Sequence, residues 1–382
     1  MPNSLIHLWF PDIFEFKGGI QTYSALFLEA LQSLYPDNYY QVFLKHDTRI
    51  SQSVDFLPST RFHFTGNWPL RLRTPIFAAQ IVGQGFWQKP NLIIATHLNF
   101  TPAAYWLKRL TGIPYWGVAH GVDAWNIQRP GLKTALQNAD RIISVSGYTR
   151  DRLLLEQNLD PAKLSVLPNT FDVRRFHISP KPPYLLKRYN LTAENPVILT
   201  VARLDQSEQY KGYDKIIQAL PEIKRHVPNL RYILVGKGSD RSRVEQLISQ
   251  LNLQDCVTLA GFIPDEELGD HYNLCDVFAM PSKGEGFGIV YLEALACGKP
   301  TLGGDRDGAI DALSHGELGA LVNPDNIEEI AKTIIQILQG IYPHPIMYQP
   351  ELLRQKVIET FGFDRFKQTL AKLMPTAEIG GN

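Results

Sequence analysis

The sequence predicts an α/β protein of two domains, each built as a parallel β-sheet covered by helices. Short apolar runs alternate with longer amphipathic segments, which is the pattern of βα units. The alternation stops once, at a proline-rich stretch near the middle of the chain, and then starts again. The 382 residues, of which 44% are hydrophobic, are enough for two cores of ordinary size.

Five apolar runs in the first domain indicate buried strands. The segments between them, such as "TYSALFLEALQSLY" and "AAYWLKRLTG", have helical periodicity. Continuous apolar runs are typical of strands that helices cover on both faces, so we expect the sheet to be parallel. The predicted strands are Leu5–Phe10, Tyr40–Lys45, Asn91–Thr96, Tyr115–His120 and Arg141–Ser146.

The stretch "HISPKPPYLLKRYN" is the predicted linker, because it is rich in proline and weakly periodic. We therefore place the first domain at 1–178 and the second at 179–355, followed by a C-terminal helix and tail at 356–382. That helix is the amphipathic segment "FGFDRFKQTLAKLM". Strands of the second domain are predicted in "PVILTVARL", "RYILVGKG", "CVTLAGF", "CDVFAMPS" and "KPTLGG".

The composition argues against several classes of protein. The formal net charge is +0, so nucleic-acid binding is not favoured, although 17 basic against 12 acidic residues through Pro180 give the first half +5. All 3 cysteines lie in the second half without metal-ligand spacing, which indicates a reducing compartment. "MPNSLIHLWF" has no basic stretch before its apolar residues, and no run approaches about 20 apolar residues. We therefore expect a cytoplasmic protein without a secretory signal or spanning helix.

The segment "KGEGFGIVYLEALA" joins a predicted strand to a predicted helix and carries two glutamates, Glu285 and Glu293. Ligands of open α/β sheets bind at this edge, where strands end and helices begin. Free N–H groups at a helix start suit a phosphate, and Gly286 and Gly288 have no Cβ to block its approach. Glu293, inside the helix, suits the paired hydroxyls of a ribose. The alternative is a capping glutamate and a second glutamate at the edge of the core.

Two cations are predicted at the same edge. In "TVARLDQSEQYKGYDKII", Arg203 ends a strand and Lys211 precedes a helix. Together they suit a diphosphate and would stabilise a leaving group as it gains negative charge. The alternative for each is a solvated charge on a loop.

Two motifs of the first domain also follow strands. The pair Gly18-Gly19 lies between a strand and a helix, so a ligand could approach the backbone there, although a plain tight turn explains the pair equally well. His120 ends the strand in "YWGVAHGVDAW", where it could hydrogen-bond a substrate, with Asp123 close enough to orient it. The alternative is a histidine in an ordinary turn.

Together these motifs resemble the retaining nucleotide-sugar glycosyltransferases of family four, which have the two-domain GT-B architecture. The resemblance covers nearly the whole chain, and its most specific part is Glu285-x7-Glu293 within "GEGFGIVYLEALACGKP". It implies two Rossmann-like domains with a cleft between them and a C-terminal helix that returns to the first domain. It implies that Glu285 contacts the donor sugar, that Glu293 contacts the ribose, and that Phe287-Gly288-Ile289 meets sugar and phosphates.

The resemblance also implies roles for residues outside that motif. Arg203 and Lys211 would bind the diphosphate, although the loop "DQSEQY" makes their spacing longer than in many members. Gly19 would lie against the diphosphate, His120 near the sugar, and Ile263, in "LAGFIPDEEL", would meet the base. The expected donor is UDP- or GDP-linked, the acceptor is a glycan or a lipid-linked molecule, and retention proceeds without a metal ion or other cofactor.

One acidic motif points to a different class of enzyme. "GGDRDGAIDAL" contains Asp305 and Asp307, an acidic pair like the manganese motif of the other large transferase fold. That motif belongs to a single-domain architecture, and Arg306 between the two acids can neutralise them. We therefore predict no metal site there.

The leading hypothesis is a retaining glycosyltransferase of the hexosyltransferase class that acts in polysaccharide biosynthesis. One alternative is a nucleotide-sugar epimerase of the same architecture, which needs no acceptor groove. Another is a sugar-nucleotide-binding protein without turnover, although the presence of both glutamates and both cations argues against it.

Residues 56–122 contain no Asp or Glu but six basic residues, together with several tryptophans and phenylalanines. Basic side chains beside interfacial aromatics are typical of a peripheral membrane surface, here the inner face of an anionic membrane. The alternative is that the aromatics belong to the core and the charges to a solvated face. The aromatics are Trp68, Phe77, Phe86, Trp87, Trp106 and Trp116.

Overall fold

The computed structural model describes residues 3–15, 18–50 and 56–374. They form two compact units. The first contains the residues up to Thr170 together with those from Phe363 onward, and the second is Phe171–Gly362.

The first unit is built on a seven-stranded parallel sheet with the strand order β3-β2-β1-β4-β5-β6-β7. All five predicted strands are present. The edge strand β3 is only half-buried and β7 has three residues, so neither has the continuous apolar run by which buried strands are recognised. The strands are β1 (Leu5–Phe10), β2 (Tyr39–Leu44), β3 (Thr60–Phe64), β4 (Leu92–Ala95), β5 (Tyr115–Ala119), β6 (Arg141–Ser144) and β7 (Leu164–Val166).

Helices cover the sheet of the first unit and begin close to the ends of its strands. The start of α5 is capped by Ser146, whose hydroxyl accepts a hydrogen bond from the Thr149 N–H at 3.0 Å. Gly112 ends α3 in a left-handed conformation with φ of 79°. The helices are α1 (Gly19–Leu34), α2 (Leu70–Gln88), α3 (Thr101–Thr111), α4 (Pro130–Asn138) and α5 (Gly147–Gln157).

The second unit is built on a six-stranded parallel sheet with the order β10-β9-β8-β11-β12-β13. Its chain order reverses between β8 and β11, which is the kind of position where ligands bind in open α/β sheets. The strands are β8 (Val197–Val201), β9 (Arg231–Val235), β10 (Val257–Gly261), β11 (Val277–Met280), β12 (Thr301–Gly304) and β13 (Ala320–Val322).

Eight helices accompany this sheet among the residues that the structure describes. They are α6 (Pro183–Arg188), α7 (Tyr213–His226), α8 (Arg241–Gln250), α9 (Asp265–Leu274), α10 (Ile289–Ala296), α11 (Ala309–Ala312), α12 (Ile327–Leu338) and α13 (Pro350–Phe361).

The final helix, α14 (Phe363–Leu373), returns to the first unit. Phe366 packs its ring edge-on against Tyr23 and Phe27 of α1, with centroid distances of 5.8 and 6.4 Å. The expectation of a C-terminal helix on the first domain is therefore confirmed for α14; the predicted tail 375–382 lies outside the described residues.

The unit boundaries differ from the predicted ones. The chain enters the second unit at Phe171, before residue 178, because Arg354 of α13 donates to the carbonyl oxygens of Val173, at 3.1 Å, and Phe176. The same contacts keep α13 in the second unit, so the return begins at Phe363 and not at 356.

The proline-rich stretch is part of the second unit and not a free linker. It contains α6, whose Tyr184 hydroxyl donates to Asp270 at 2.8 Å. Within 3–15, 18–50 and 56–374, no helix combines the length and the apolar character that crossing a bilayer requires.

Candidate functional site

In the second unit, the loop between β11 and α10 carries the predicted glutamate and glycines. Gly288 precedes α10 with φ of 89°, and a Cβ there would lie 2.4 Å from the Tyr291 ring, so only glycine fits. Of the first N–H groups of α10, those of Ile289 and Val290 have no intrahelical partner, whereas that of Tyr291 donates to the Gly288 carbonyl oxygen at 3.1 Å. The loop therefore presents backbone donors beside Glu285.

Asp307 holds this loop in place. Its Oδ2 accepts a hydrogen bond from the Glu285 N–H at 2.7 Å, and its Oδ1 accepts one from the Ala309 N–H at 2.9 Å. Burial raises the pKa of Asp307 to about 6. The buried Asp307 thus has a structural task, whereas Asp305 is half-exposed and 3.8 Å from Arg306. Among the described residues, no three His, Cys, Asp or Glu side chains are grouped so that they could hold a metal.

The two predicted cations meet a carboxylate that was not among the predicted site residues. Nη1 of Arg203 lies 2.9 Å from Oε1 of Glu208, and Nζ of Lys211 lies 3.6 Å from Oε2 of the same residue. Nζ of Lys211 also donates to Oε1 of Glu285. Arg203, Glu208, Lys211 and Glu285 thus form one chain of alternating charges, which we call the ion chain.

The ion chain lies at the carboxyl ends of two neighbouring strands. Arg203 follows β8 and Glu285 follows β11, which pairs with β8. The side chains of Lys211 and Glu285 are each only 14% exposed. Burial alone would lower the pKa of Lys211, but the negative charges of Glu285 and Glu208 raise it above its usual value. Lys211 therefore stays protonated.

Glu293 lies on the buried side of α10. Its Oε2 accepts a hydrogen bond from the Tyr272 hydroxyl at 2.7 Å. Burial raises the pKa of Glu293 to about 7, so near neutral pH its carboxyl group is about half protonated. The second oxygen, Oε1, has no hydrogen-bond partner among the described residues and can accept or donate a further hydrogen bond.

Two predicted donor-binding residues have buried side chains. The Phe287 ring packs against Phe361, with a centroid distance of 5.5 Å, so only its backbone can meet a ligand. The Ile263 side chain is also buried, whereas its neighbour Phe262 is largely exposed, with Lys237 Nζ 5.1 Å from the ring centroid. This exposed pair at the end of β10 was not predicted.

In the first unit, His120 follows β5 and is fixed by three contacts. Its Nε2 donates to the Thr96 carbonyl oxygen at 2.7 Å, its backbone N–H donates to Asp123 Oδ1 at 2.9 Å, and its ring meets the edge of Tyr23 at 5.1 Å. Burial lowers the pKa of His120 to about 3, so the ring is neutral. Since a carbonyl only accepts, the proton is on Nε2 and Nδ1 is an acceptor.

Asp123 and Gly19 complete the predicted residues of the first unit. Burial raises the pKa of Asp123 to about 7, and its Oδ2 has no partner among the described residues. Asp123 thus holds the loop after β5 through the His120 backbone N–H. Its carboxylate is not a hydrogen-bond partner of either nitrogen of the His120 ring. Gly19 begins α1, and a Cβ there would meet no described atom within 4 Å, so its surroundings leave room for a ligand.

The structure therefore brings Arg203, Lys211 and Glu285 together and holds His120 separately in the first unit. Glu208 was missed, although an acidic residue between two cations in "DQSEQYK" is a visible signal. The supporting role of Asp307 could not be read from the sequence, because it depends on the approach of two loops that follow different strands.

Two family models match this chain, one in each half. The family model described as Glycosyltransferase Family 4 matches residues 17–175, and the model described as glycosyl transferases group 1 matches residues 185–344. The GDP-mannose-dependent alpha-(1-6)-phosphatidylinositol monomannoside mannosyltransferase of Mycolicibacterium smegmatis is 34% identical over 231 residues. That match covers 57% of this chain and 59% of that protein, less than two thirds of the relative's length.

Solved structures match almost the whole chain. A sucrose-phosphate synthase of Thermosynechococcus elongatus has a TM-score of 0.78 at 23% identity, over 97% of this chain and 98% of that one. The HepE protein of Anabaena, solved in complex with UDP-glucose, has a TM-score of 0.75 at 20% identity, over 97% and 99%. At these identities the likeness concerns the fold alone, and with the two parallel sheets it confirms the predicted GT-B fold class.

Proposed function

Because the chain belongs to the glycosyltransferases of family 4, we propose that it transfers a hexose from a nucleoside-diphosphate donor to a hydroxyl group of a glycan or lipid-linked acceptor, with retention of configuration. The observation that carries this proposal is the ion chain, which gathers Arg203, Lys211 and Glu285 at the ligand-binding edge of the second sheet.

In this proposal the diphosphate of the donor takes the place of Glu208 on the two cations. A diphosphate carries more negative charge than one carboxylate and offers more oxygen acceptors to the guanidinium and the ammonium group. The N–H groups at the start of α10 offer further contacts for it.

The remaining predicted residues hold the sugar and the nucleoside. Glu285 accepts hydrogen bonds from the donor sugar and holds Lys211 in position. Glu293 Oε1 meets the ribose hydroxyls, and the backbone around Ile263 meets the base. His120 uses Nδ1, its acceptor nitrogen, for a hydroxyl group of the transferred sugar. The backbone of Gly286, Phe287, Gly288 and Ile289 lines the sugar and the phosphates.

The proposed reaction breaks the bond between the anomeric carbon and the diphosphate oxygen and forms a bond from that carbon to the acceptor oxygen on the same face. The electron pair stays with the diphosphate, whose charge Arg203 and Lys211 stabilise. The acceptor's proton passes to a diphosphate oxygen on that face. Two side-chain cations supply the positive charge that a metal ion supplies in other transferases.

The acceptor side of the proposal rests on exposed aromatic and aliphatic residues on or just before two helices that pack against each other, α2 and α3. Trp87 is 84% exposed and Arg109 lies 5.8 Å from the Trp106 ring. Two of the six aromatics noted in the sequence, Phe77 and Trp116, are instead core residues. We call the exposed set the basic-aromatic surface; it consists of Trp68, Leu70, Arg71, Leu72, Phe86, Trp87, Trp106, Arg109 and Leu110.

This surface supports peripheral binding to an anionic membrane, because tryptophans insert at the interface while arginines contact the headgroups. A lipid-linked acceptor follows from that location. The mannosyltransferase relative, whose name specifies GDP-mannose and a phosphatidylinositol mannoside, and the neighbour solved with UDP-glucose provide the two donors to test first.

The test is the release of free nucleotide from GDP-mannose or UDP-glucose, with and without vesicles that contain phosphatidylinositol monomannoside. A transferase releases the nucleotide when the acceptor is added. An epimerase converts the donor without acceptor, and a binding protein is stabilised by the nucleotide but does not turn it over. Either of these two results with a bound donor would overturn the proposal.

A further inference from the structure

A second candidate site lies in the first unit, among the helices that cover its sheet. A cavity of about 250 Å³ opens between α2, α3, the end of β2 and the start of α4. Sites for complete small-molecule ligands usually measure about 300–1,000 Å³, so this cavity fits one part of a larger ligand.

One side of the cavity is polar and positively charged. Lys45 directly follows β2, and Arg129 directly precedes α4; Thr74 and Asn99 complete this side. Among the residues that the structure describes, no Asp or Glu lines the cavity. Arg129 Nη2 donates to Asn99 Oδ1, which fixes the orientation of the guanidinium group. The side therefore offers an ammonium group, an oriented guanidinium group, a hydroxyl group and an amide.

His97, two residues before Asn99, lies close enough to Lys45 and Arg129 to be affected by their charges. Burial lowers the pKa of His97 to about 4, and the positive charges of Lys45 and Arg129 add to this effect. Burial also lowers the pKa of Lys45 itself. A bound anion would compensate the charge of Lys45, which is partly removed from water, and Arg129, which is exposed, could contact the same anion.

The other side of the cavity is apolar. Phe77 and Ile81 of α2 face Phe100 and Ala103, and the rings of Phe77 and Phe100 are 4.9 Å apart between centroids. The cavity reaches the surface at Thr74, Asn99 and Arg129, which are all exposed. Thr74 lies on the same helix as Leu70 and Leu72 of the basic-aromatic surface.

We propose that this cavity binds the phosphate group of the acceptor, with the adjoining apolar part of the same molecule packed against Phe77, Ile81 and Phe100. A phosphate fits better than a carboxylate, because its additional oxygens can use the donors of Lys45, Arg129 and Thr74 together. This proposal rests on the proposed function in one respect, which is that the bound molecule is identified as the acceptor of the sugar. Binding of a phosphate group in the cavity does not depend on sugar transfer.

Two kinds of ligand carry such a phosphate group, namely a phospholipid and a soluble phosphate ester. The apolar side and the adjacent basic-aromatic surface favour the lipid. Dihexanoyl phosphatidic acid, used below its aggregation concentration, and inorganic phosphate separate the two sources. Each buried methylene group should tighten binding by about fourfold.

The experiment is isothermal titration of the full chain with these two probes, in the absence of any sugar nucleotide. We expect Arg129→Gln and Lys45→Gln each to weaken both probes by about 10- to 100-fold, since each loses a charged hydrogen bond. Ala103→Phe fills the apolar side, so it should weaken the lipid probe and leave inorganic phosphate unchanged. Lys133→Gln removes a cation of α4 that does not line the cavity and serves as the matched control.

Equal binding of both probes, without an effect of Ala103→Phe, would assign the cavity to a soluble phosphate ester. No binding of either probe, or an equal loss in Lys133→Gln, would overturn the proposal. The titration contains no sugar nucleotide, so the absence of phosphate binding would not bear on the proposed transferase activity. Phosphate binding by a protein that transfers no sugar would count against the transferase activity but not against the cavity.

Discussion

Oε1 of Glu208 lies 2.9 Å from Nη1 of Arg203, so one of the two cations proposed to bind the donor already has a carboxylate partner within its own loop. The same carboxylate lies 3.6 Å from Lys211. A diphosphate that binds these cations must compete with Glu208, and the loop that makes the spacing between Arg203 and Lys211 long is the loop that supplies this competitor.

We predict that Glu208→Gln tightens the binding of nucleoside diphosphates. The variant keeps the shape of the side chain but removes the negative charge that competes with the donor. Because Arg203 is largely exposed, the ion pair is weak, and the expected decrease in Kd is about two- to fivefold. Titration calorimetry with GDP and UDP measures it.

Glu245→Gln provides the control for this prediction, because Glu245 pairs with an arginine, Arg241, on an exposed helix of the same unit. Its Kd should equal that of the wild type. Weaker binding by Glu208→Gln would mean that Glu208 positions the two cations for the donor and does not compete with it.

The buried pair of Lys211 and Glu285 should be coupled in stability. Lys211→Met leaves the Glu285 carboxylate buried without its lysine, which should lower the free energy of unfolding by about 3 kcal/mol. Adding Glu285→Gln should restore part of this loss, with a coupling energy of about 1–3 kcal/mol. Urea unfolding of the single and double variants measures the cycle.

The exposed pair Arg241–Glu245 serves as the comparison cycle, because its two side chains are about half-exposed. We expect a coupling energy below about 1 kcal/mol there. If Lys211 and Glu285 gave the same small value, the pair would not be buried in solution as it is in the structure.

The fold was predictable where single segments carry a complete signal. The run Leu5–Phe10 is apolar except for His7 and is recovered as β1 with the same bounds. By contrast, α2 contains Pro75 and two glycines and has little amphipathic character, so its 19 residues gave no clear helical pattern. The boundary near residue 171 depends on hydrogen bonds of Arg354 over a long sequence separation, which no local pattern can show.

The positions of those site residues that directly follow strands could be predicted from the sequence. Arg203 and Glu285 were placed at one edge because parallel strands end on the same side of a sheet. The sequence did not show that Glu208 bridges the cations, nor that the Phe287 and Ile263 side chains turn inward. Both depend on side-chain packing between loops that are distant in the sequence.

Stability should depend on the protonation of Glu293. Burial raises its pKa from the ordinary value of 4.5 to about 7, so between these two pH values the folded protein holds a proton that the unfolded chain has lost. The stability from this group is therefore complete below about pH 4.5 and is lost as the pH rises through 7. Relative to Glu293→Gln, the free energy of unfolding of the wild type should fall by at most about 3 kcal/mol over this pH range.

Urea unfolding at several values between pH 5 and pH 8 tests this dependence. Glu266→Gln, an exposed position on α9, should differ from the wild type by the same small amount at every pH. A pH-independent difference between the wild type and Glu293→Gln would show that the Glu293 carboxyl group titrates normally.

The basic-aromatic surface should bind anionic vesicles at low salt. Trp87→Ser combined with Trp106→Ser should reduce partitioning by roughly tenfold or more, because two exposed indole rings lose their contact with the interface. Arg71→Gln should reduce it by about fivefold, and only on anionic lipid. Co-sedimentation with anionic and neutral vesicles measures both effects.

Leu155→Ser is the matched control, since Leu155 is 88% exposed in the same unit but lies on α5. It should bind as the wild type does. Absence of binding to anionic vesicles at low salt would leave a soluble acceptor as the better interpretation.

The central claim is that the edge of the second sheet around Lys211 and Glu285 is where the sugar is transferred. The measurement is the rate of acceptor-dependent nucleotide release by Glu285→Gln, compared with the wild type and Glu245→Gln, using the donor that the wild type accepts. We expect the Glu285 variant to lose about 10²–10³ in turnover while it still binds the nucleotide, and the Glu245 variant to keep the full rate. A near-normal rate in Glu285→Gln would contradict the account.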